Sequence, residues 1–369
     1  MMTPLRSILV TPNLLGKDGV STLSREVIGG LPAPSLALSL HDSTDAGGDW
    51  SRDLELHGAR GSRFRFLFDV ARAMPRVTPD TLVVCSHLHL APAARVLSWR
   101  GRRPTIILCG IEAWVGLRPA EQWAISGGEI VAISQHTVDR FRTANPALAS
   151  IDIAVCHPGL LATPRSSEMT EMTLVERPAS PTALIVARMS AAERYKGHDA
   201  LLDVWPDLLS RHPNAVLAVA GDGDDRLRLE ARAAALGLTR AVRFLGRVDD
   251  RQLDELYRSC RLFVMPSRDE GFGLVFLEAM RAAKPCIGGR GAASEIIEHG
   301  VTGLIVDPDS RHELSAALER LYSEPDTCEQ FGAAGRRRFL SSFTDDGFRA
   351  RLRELIGRLP LVALAASTS

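Results

Sequence analysis

Net charge is the first thing this chain lacks: 44 Lys and Arg meet 44 Asp and Glu, a formal balance of zero at pH 7. A dedicated nucleic-acid binder needs a basic surface, so that class is disfavoured. Lysine is scarce, occurring only as Lys17, Lys196 and Lys284, and the other cationic side chains are arginine. A lysine inside a phosphate-binding pattern is therefore less easily dismissed as background. The cysteines Cys85, Cys109, Cys156, Cys260, Cys286 and Cys328 are scattered, without a Cys-x-x-Cys pair. That spacing argues against a disulfide framework and against a cysteine metal site. No run approaches the roughly 20 apolar residues of a spanning helix. The chain also enters a strand-like run, Arg6–Thr11, without the apolar stretch of a signal peptide. The expectation is a cytoplasmic, reduced protein.

What is there is alternation. Ile8–Thr11, Leu82–Ser86, Thr105–Cys109, Ile130–Ser134 and Ile151–Cys156 read as strands, interleaved with helical spacing over Val20–Ile28, Arg63–Met74, Pro92–Arg100 and His136–Ala144. After a Pro-, Ser-, Thr- and Glu-rich lapse from Thr163 to Pro181, the pattern restarts. Strands are expected at Ala183–Ala187, Ala215–Ala220, Val242–Leu245, Leu262–Met265, Pro285–Ile287 and Leu304–Val306. The helices between them cover His198–Ser210, Asp225–Leu236, Asp250–Ser259, Leu274–Ala283, Ser294–His299 and His312–Tyr322. Such alternation implies α/β domains with parallel sheets, and 369 residues suit two of them. The expected division is a Rossmann-like domain over 1–165, a linker over 166–181, a second Rossmann-like domain over 182–345, and a C-terminal helix and tail over 346–369. Ligands in doubly wound sheets bind at the carboxyl ends of the strands, so an interdomain cleft is the expected place for chemistry.

The most informative run is Glu-Gly-Phe-Gly-Leu-Val-Phe-Leu-Glu, from Glu270 to Glu278. It follows a strand closed by Pro266-Ser267 and leads into a helix, so Glu270 falls in the loop and Glu278 in the helix. The helix's first amides lie between them. Carboxylates bind sugar hydroxyls and free amides bind phosphate, which together suggest a nucleotide-sugar site. Arg188, at the end of the first strand of the second half, and Lys196, in Tyr-Lys-Gly before the next helix, suit a diphosphate; the alternative is a solvated loop. Gly221-Asp-Gly223 and Gly246-Arg-Val248 follow the next two strands, where turn chemistry is the alternative. Asn13-Leu-Leu-Gly16-Lys-Asp-Gly19 joins the first strand to the first helix, a glycine loop short of the dinucleotide fingerprint.

In order and spacing these runs resemble glycosyltransferase family 4. The resemblance is strong over Ala183–Asp309, adding Phe244-Leu-Gly246, Glu295 and Thr302-Gly303. It is weaker over 1–165, where it rests on the glycine loop, Gly110-Ile-Glu112, Ile133-Ser134 and Pro158-Gly159. The resemblance implies a GT-B fold, two Rossmann-like doubly wound domains facing a cleft, and a retaining, metal-independent hexosyltransferase using a UDP- or GDP-sugar as co-substrate. No further cofactor is expected. By it, Arg188, Lys196 and the amides of Leu274 and Val275 hold the donor diphosphate. Glu278 takes the ribose hydroxyls, and Glu270 with the amides of Phe272 and Gly273 takes the transferred sugar. Val248 meets the base through its backbone, and Gly16 and Gly19 close on the phosphates. Many family members carry a histidine where this chain has Cys109, so Glu112 is the candidate for its role, the alternative being a charge at a strand-to-helix turn. His87 and His89, two apart at a strand end, could share one face as metal ligands, but with no third ligand nearby the expected role is contact with acceptor or core.

The acceptor is expected on the first domain, as a saccharide, lipid-linked sugar or small molecule, in bacterial cell-surface glycan or glycoconjugate synthesis. Arg60, Arg63, Arg65, Arg72 and Arg76 accompany Phe64, Phe66, Leu67, Phe68 and Val70. A basic, aromatic helix of this kind can lie on an anionic membrane, giving peripheral attachment at its inner face; the alternative is an ordinary helix with one buried and one solvated face. Rival functions are a nucleotide-sugar epimerase, a sugar-phosphate-forming enzyme of the same fold, or a catalytically degenerate nucleotide-sugar-binding subunit.

Overall fold

The computed structural model describes residues 5–16, 18–43, 54–99, 101–162 and 182–358. The chain divides into two units, residues 1–158 with 345–369, and residues 159–344. The expected linker and the tail from Pro360 lie outside the described residues. Among those residues no helix is long and apolar enough to cross a membrane.

Unit 1 runs β1 (Ser7–Thr11), α1 (Gly19–Gly30), β2 (Ser35–Ser39), β3 (Leu54–Gly58), α2 (Arg63–Ala73), β4 (Leu82–Cys85), α3 (Ala91–Leu97), β5 (Thr105–Leu108), α4 (Pro119–Ser126), β6 (Glu129–Ala132), α5 (Gln135–Ala144) and β7 (Ile153–Val155). Its strands pair in parallel in the order β3-β2-β1-β4-β5-β6-β7. Such strands are covered on both faces and read as continuous apolar runs, which is why β1, β4 and β5 are buried throughout or nearly so. The elements of unit 1 absent from the sequence reading are β2, β3 and α4.

Unit 2 runs β8 (Thr182–Val186), α6 (His198–Arg211), β9 (Val216–Ala220), α7 (Arg226–Ala235), β10 (Val242–Gly246), α8 (Asp250–Ser259), β11 (Leu262–Met265), α9 (Leu274–Arg281), β12 (Cys286–Gly289), α10 (Ala293–Ile296), β13 (Gly303–Val306), α11 (Arg311–Ser323) and α12 (Pro325–Ser342). Its parallel sheet has the order β10-β9-β8-β11-β12-β13. In both sheets the order reverses beside the first strand, between β1 and β4 and between β8 and β11. Diverging connections open a crevice at the carboxyl ends there.

The last helix, α13 (Asp345–Arg358), belongs to unit 1 rather than following unit 2 as an appendage. Burial of Phe348, Leu352 and Ile356 holds it, and Arg349 reaches Glu26 of α1 at 2.7 Å.

One network of buried charge in unit 2 centres on Asp225. Asp225 lies beneath Arg228 and Arg194, at 2.6 and 2.9 Å, and Arg228 also grips Asp199 at 2.7 Å. Hydrogen bonds from Arg228 first, and then from Arg194 against the cost of burial, hold the Asp225 carboxyl well below the ordinary range. A depressed carboxylate stabilises fully above its unfolded value of about 3.9 and loses that contribution as pH falls through the folded value. We expect Asp225→Asn to cost about 2 kcal/mol in urea unfolding at neutral pH, less than a sealed pair because its arginines are half in water. The difference from wild type should shrink as the pH falls below about 4.

Candidate functional site

The carboxyl ends of β8 and β11 gather the residues singled out in the second half. Gly197 ends the loop after β8 at φ +92, and a Cβ there would meet the Pro266 ring and carbonyl at 2.7 and 2.8 Å. Only glycine lets the Tyr195-Lys196-Gly197 turn lie against the end of β11, and the Tyr195 carbonyl accepts Arg268 N–H at 3.0 Å. That seating carries Lys196 Nζ to Glu270 Oε2 at 2.5 Å, with both side chains largely buried. Glu270 in turn lies beside Gly273, 3.4 Å from where a Cβ would stand.

Gly273 caps α9 at φ +100, and a Cβ would strike the Phe276 ring at 2.7 Å. With no side chain at the cap, the amides of Leu274 and Val275 meet no acceptor among the described residues. Partly buried N–H groups at a helix start, reinforced by the helix dipole, make an anion site. Lys196, Glu270 and this helix start are thus brought together. Arg188 is in the same loop but exposed, paired with Glu193. The Tyr195 phenol feels Glu193, Glu270, Arg188 and Asp269; burial first, then the carboxylates, push its pKa well up.

Glu278 sits one turn into α9, and Oε2 accepts the Tyr257 hydroxyl at 2.7 Å. Burial raises its pKa, opposed by Tyr257 and Arg281. Tyr257, Glu193 and Tyr195 were not singled out from sequence; the available signal for Tyr257 is its helical spacing from Leu253 on α8. Val248 is half-buried between β10 and α8. Gly221-Asp-Gly223 and Asp224 knit the β9 loop to the β8 loop: Met189 N–H donates to Asp222 O at 3.0 Å and Ala191 N–H to Asp224 Oδ1 at 2.9 Å. The motif therefore has the turn role offered as its alternative. Two Asp-x-Asp spacings occur, at Asp222/Asp224 and Asp307/Asp309, and Asp307 and Asp309 are paired with Arg290 and Arg268. Among the described residues no three His, Cys, Asp or Glu converge as a metal site.

In unit 1, Gly16 lies in the loop from β1 to α1 and Gly19 opens α1. There the amides of Leu14 and Leu15 donate to Asp42 at 2.5 and 3.3 Å, and Asp18 caps α1. Glu112 folds back on its own turn, accepting Cys109 N–H at 2.6 Å, with its pKa raised by burial against those backbone bonds. The Cys109 thiol donates to Ser86 O at 2.9 Å. After β4, His89 Nδ1 meets Glu121 Oε1 at 2.8 Å, and His87 is pushed down to about 4, chiefly by burial.

Residues 174–338 match the sequence family described as Glycosyl transferases group 1. A GDP-mannose-dependent monoacylated alpha-(1-6)-phosphatidylinositol monomannoside mannosyltransferase of Corynebacterium glutamicum is 28% identical over 242 residues, 62% of this chain and 61% of that protein. A D-inositol 3-phosphate glycosyltransferase of Corynebacterium jeikeium is 33% identical over 172 residues, 44% of this chain and 41% of its own length. The chain thus spans about three fifths and two fifths of these relatives. Anabaena HepE, solved with UDP and glucose, superposes with a TM-score of 0.73 at 18% identity, covering 96% of this chain and 100% of that one. Two parallel doubly wound sheets with that likeness define a GT-B protein. Within this class, the likeness of residues 174–338, which take in β8 and most of α12, is to the group 1 glycosyl transferases.

Gly273→Ala should lower stability by about 1–3 kcal/mol through forced backbone and ring displacement. It should also weaken binding of a nucleoside diphosphate. Thermal unfolding and calorimetry measure the two effects, and unchanged affinity would separate the helix start from the anion site.

Proposed function

We propose that the chain is a retaining glycosyltransferase that moves a hexose from a UDP- or GDP-sugar to a saccharide, lipid-linked or small-molecule acceptor. The observation that carries this reading is the uncapped start of α9, with Lys196 and Glu270 at its mouth, at the strand-order reversal of unit 2. Relatives named for GDP-mannose and a structural neighbour solved with UDP support a nucleotide-linked hexose as donor.

The chemistry follows from where charge develops. Breaking a sugar–phosphate bond leaves negative charge on the diphosphate and oxocarbenium character on the sugar. Lys196, Arg188 and the amides of Leu274 and Val275 would meet the first, each preorganised donor contributing about 3 kcal/mol in the transition state. With those cations at the phosphates, the proposed reaction proceeds without a metal. In the ligand-free chain Glu270 neutralises Lys196. An entering diphosphate displaces that partner, and the released carboxylate turns to a hydroxyl of the transferred sugar. Glu278, held by Tyr257 through one oxygen, offers the other to the ribose. Val248 presents main chain to the base. Retention follows if the departing phosphate oxygen takes the acceptor's proton on the same face.

A thermal-shift panel of UDP, GDP and ADP, followed by donor hydrolysis and transfer assays, tests the reading. Lys196→Ala should weaken the preferred nucleoside diphosphate about tenfold or more, as loss of a charge-assisted contact does. Glu270→Ala should keep or gain nucleotide affinity, because it frees Lys196, while transfer falls about a hundredfold. Stabilisation by nucleotide with no hydrolysis or transfer from any donor would favour a binding subunit, and no stabilisation by any nucleotide would reject the site.

A further inference from the structure

Helix α2 carries apolar residues on two opposite sides. Phe66, Val70 and Ala73 face inward and are buried. Phe64, Leu67, Phe68 and Ala71 repeat at i, i+3, i+4 and i+7 on the outer side. Phe64 is 88% exposed, Phe68 66% and Leu67 57%. An ordinary amphipathic helix would place charge on that outer stripe, and large apolar groups gathered in water mark a contact surface.

The flank of the same helix is cationic. Arg65 and Arg72, at i and i+7, are exposed and make no ion pair among the described residues. With Arg60, His57, Phe68 and Asp69 they line a cavity of about 420 Å³ against the end of β3. Asp69, the one carboxylate among the described residues of that lining, faces His57 Nδ1 at 3.9 Å, and Arg60 donates to Ser43 Oγ at 3.1 Å. Guanidinium forks in an open pocket suit a phosphate, and exposed aromatic groups beside them suit a hydrocarbon layer. One occupant satisfies both features.

We propose that the α2 face docks on an anionic phospholipid bilayer, with a headgroup phosphate in the Arg60–Arg65–Arg72 cavity and Phe64, Leu67 and Phe68 inserted among the acyl chains. The attachment is peripheral, and it stands apart from the donor chemistry proposed for unit 2.

The full chain is tested by co-sedimentation with phosphatidylcholine vesicles, with and without phosphatidylglycerol. The expected result is retention only with the anionic lipid, weakening as salt rises. Arg65→Glu with Arg72→Glu should lower partitioning about tenfold or more, and Phe64→Ser with Phe68→Ser should also release the protein. Both pairs are surface changes, so circular dichroism and nucleotide thermal shifts should stay at wild-type values; this readout separates failure here from failure of the donor site. No retention on phosphatidylglycerol, or retention indifferent to both variants, overturns the proposal. So does saturable binding of free glycerol phosphate that strips the protein from vesicles, which would mark a soluble phosphate ligand. A dimer in sedimentation velocity that Phe64→Ser with Phe68→Ser converts to monomer, without loss of vesicle binding, would assign the stripe to a second copy instead.

Discussion

A peptide N–H removed from water must find an acceptor, and at the start of α9 the described residues supply none for Leu274 and Val275. Helices α1, α2, α5, α8 and α11 begin with Asp18, Ser62, Ser134, Asp249 and Ser310, each closing the first turn with its own oxygen. The two helices that follow β8 and β11 begin instead with Gly197 and Gly273, which have nothing to offer. Their glycines are demanded by backbone geometry, so the missing caps come with the fold rather than from a separate concession. Leaving these donors unmet is costly unless something external meets them. An anion is the chemistry that fits, and the rest of the site is arranged around that vacancy in hydrogen bonding.

The Lys196–Glu270 contact then has a double character. Without ligand it keeps two charges from being buried alone, which would be far more expensive than the pair itself. With ligand, the same proximity becomes an exchange, one anion replacing another on a fixed ammonium. Tyr257 plays a quieter part, fixing one oxygen of Glu278 so that the other has a defined direction. Around them, Asp225 and its arginines tie α6, α7 and the β8 loop together, so the loop carrying Lys196 is braced from beneath.

Unit 2 was largely legible because most of its strands are apolar runs between turn residues, and burial on both faces of a parallel sheet makes such runs stand out. Glu270, Glu278 and the intervening amides fall where the spacing puts them. What escaped did so for physical reasons. Strand β2 begins and ends with serines whose hydroxyls are bonded to Pro32 O and Asp42, so a buried strand reads as polar. Strand β3 is at the sheet edge and half-buried, with Glu55 and His57 paired to each other. Helix α12 holds Gly332 and Gly335, poor helix formers kept for close packing, which blur its period. The Gly221 loop reads mainly as turn chemistry, but its tie to the β8 loop runs through Met189 and Ala191, partners that no local spacing reveals. Tyr257 could not be tied to Glu278 because the two come from different helices.

The membership of α13 in unit 1 has a consequence for how the polypeptide is made. A ribosome releases residues 159–344 before Asp345–Arg358 exist outside the tunnel, so the second unit can finish while the first still lacks its closing segment. The usual N-to-C order of domain maturation is thereby inverted. The nascent α1 surface around Glu26 and Gly30 waits for Arg349 and Arg353, which are made more than 300 residues later. Over that interval a chaperone would meet an incomplete amino-terminal unit attached to a finished neighbour.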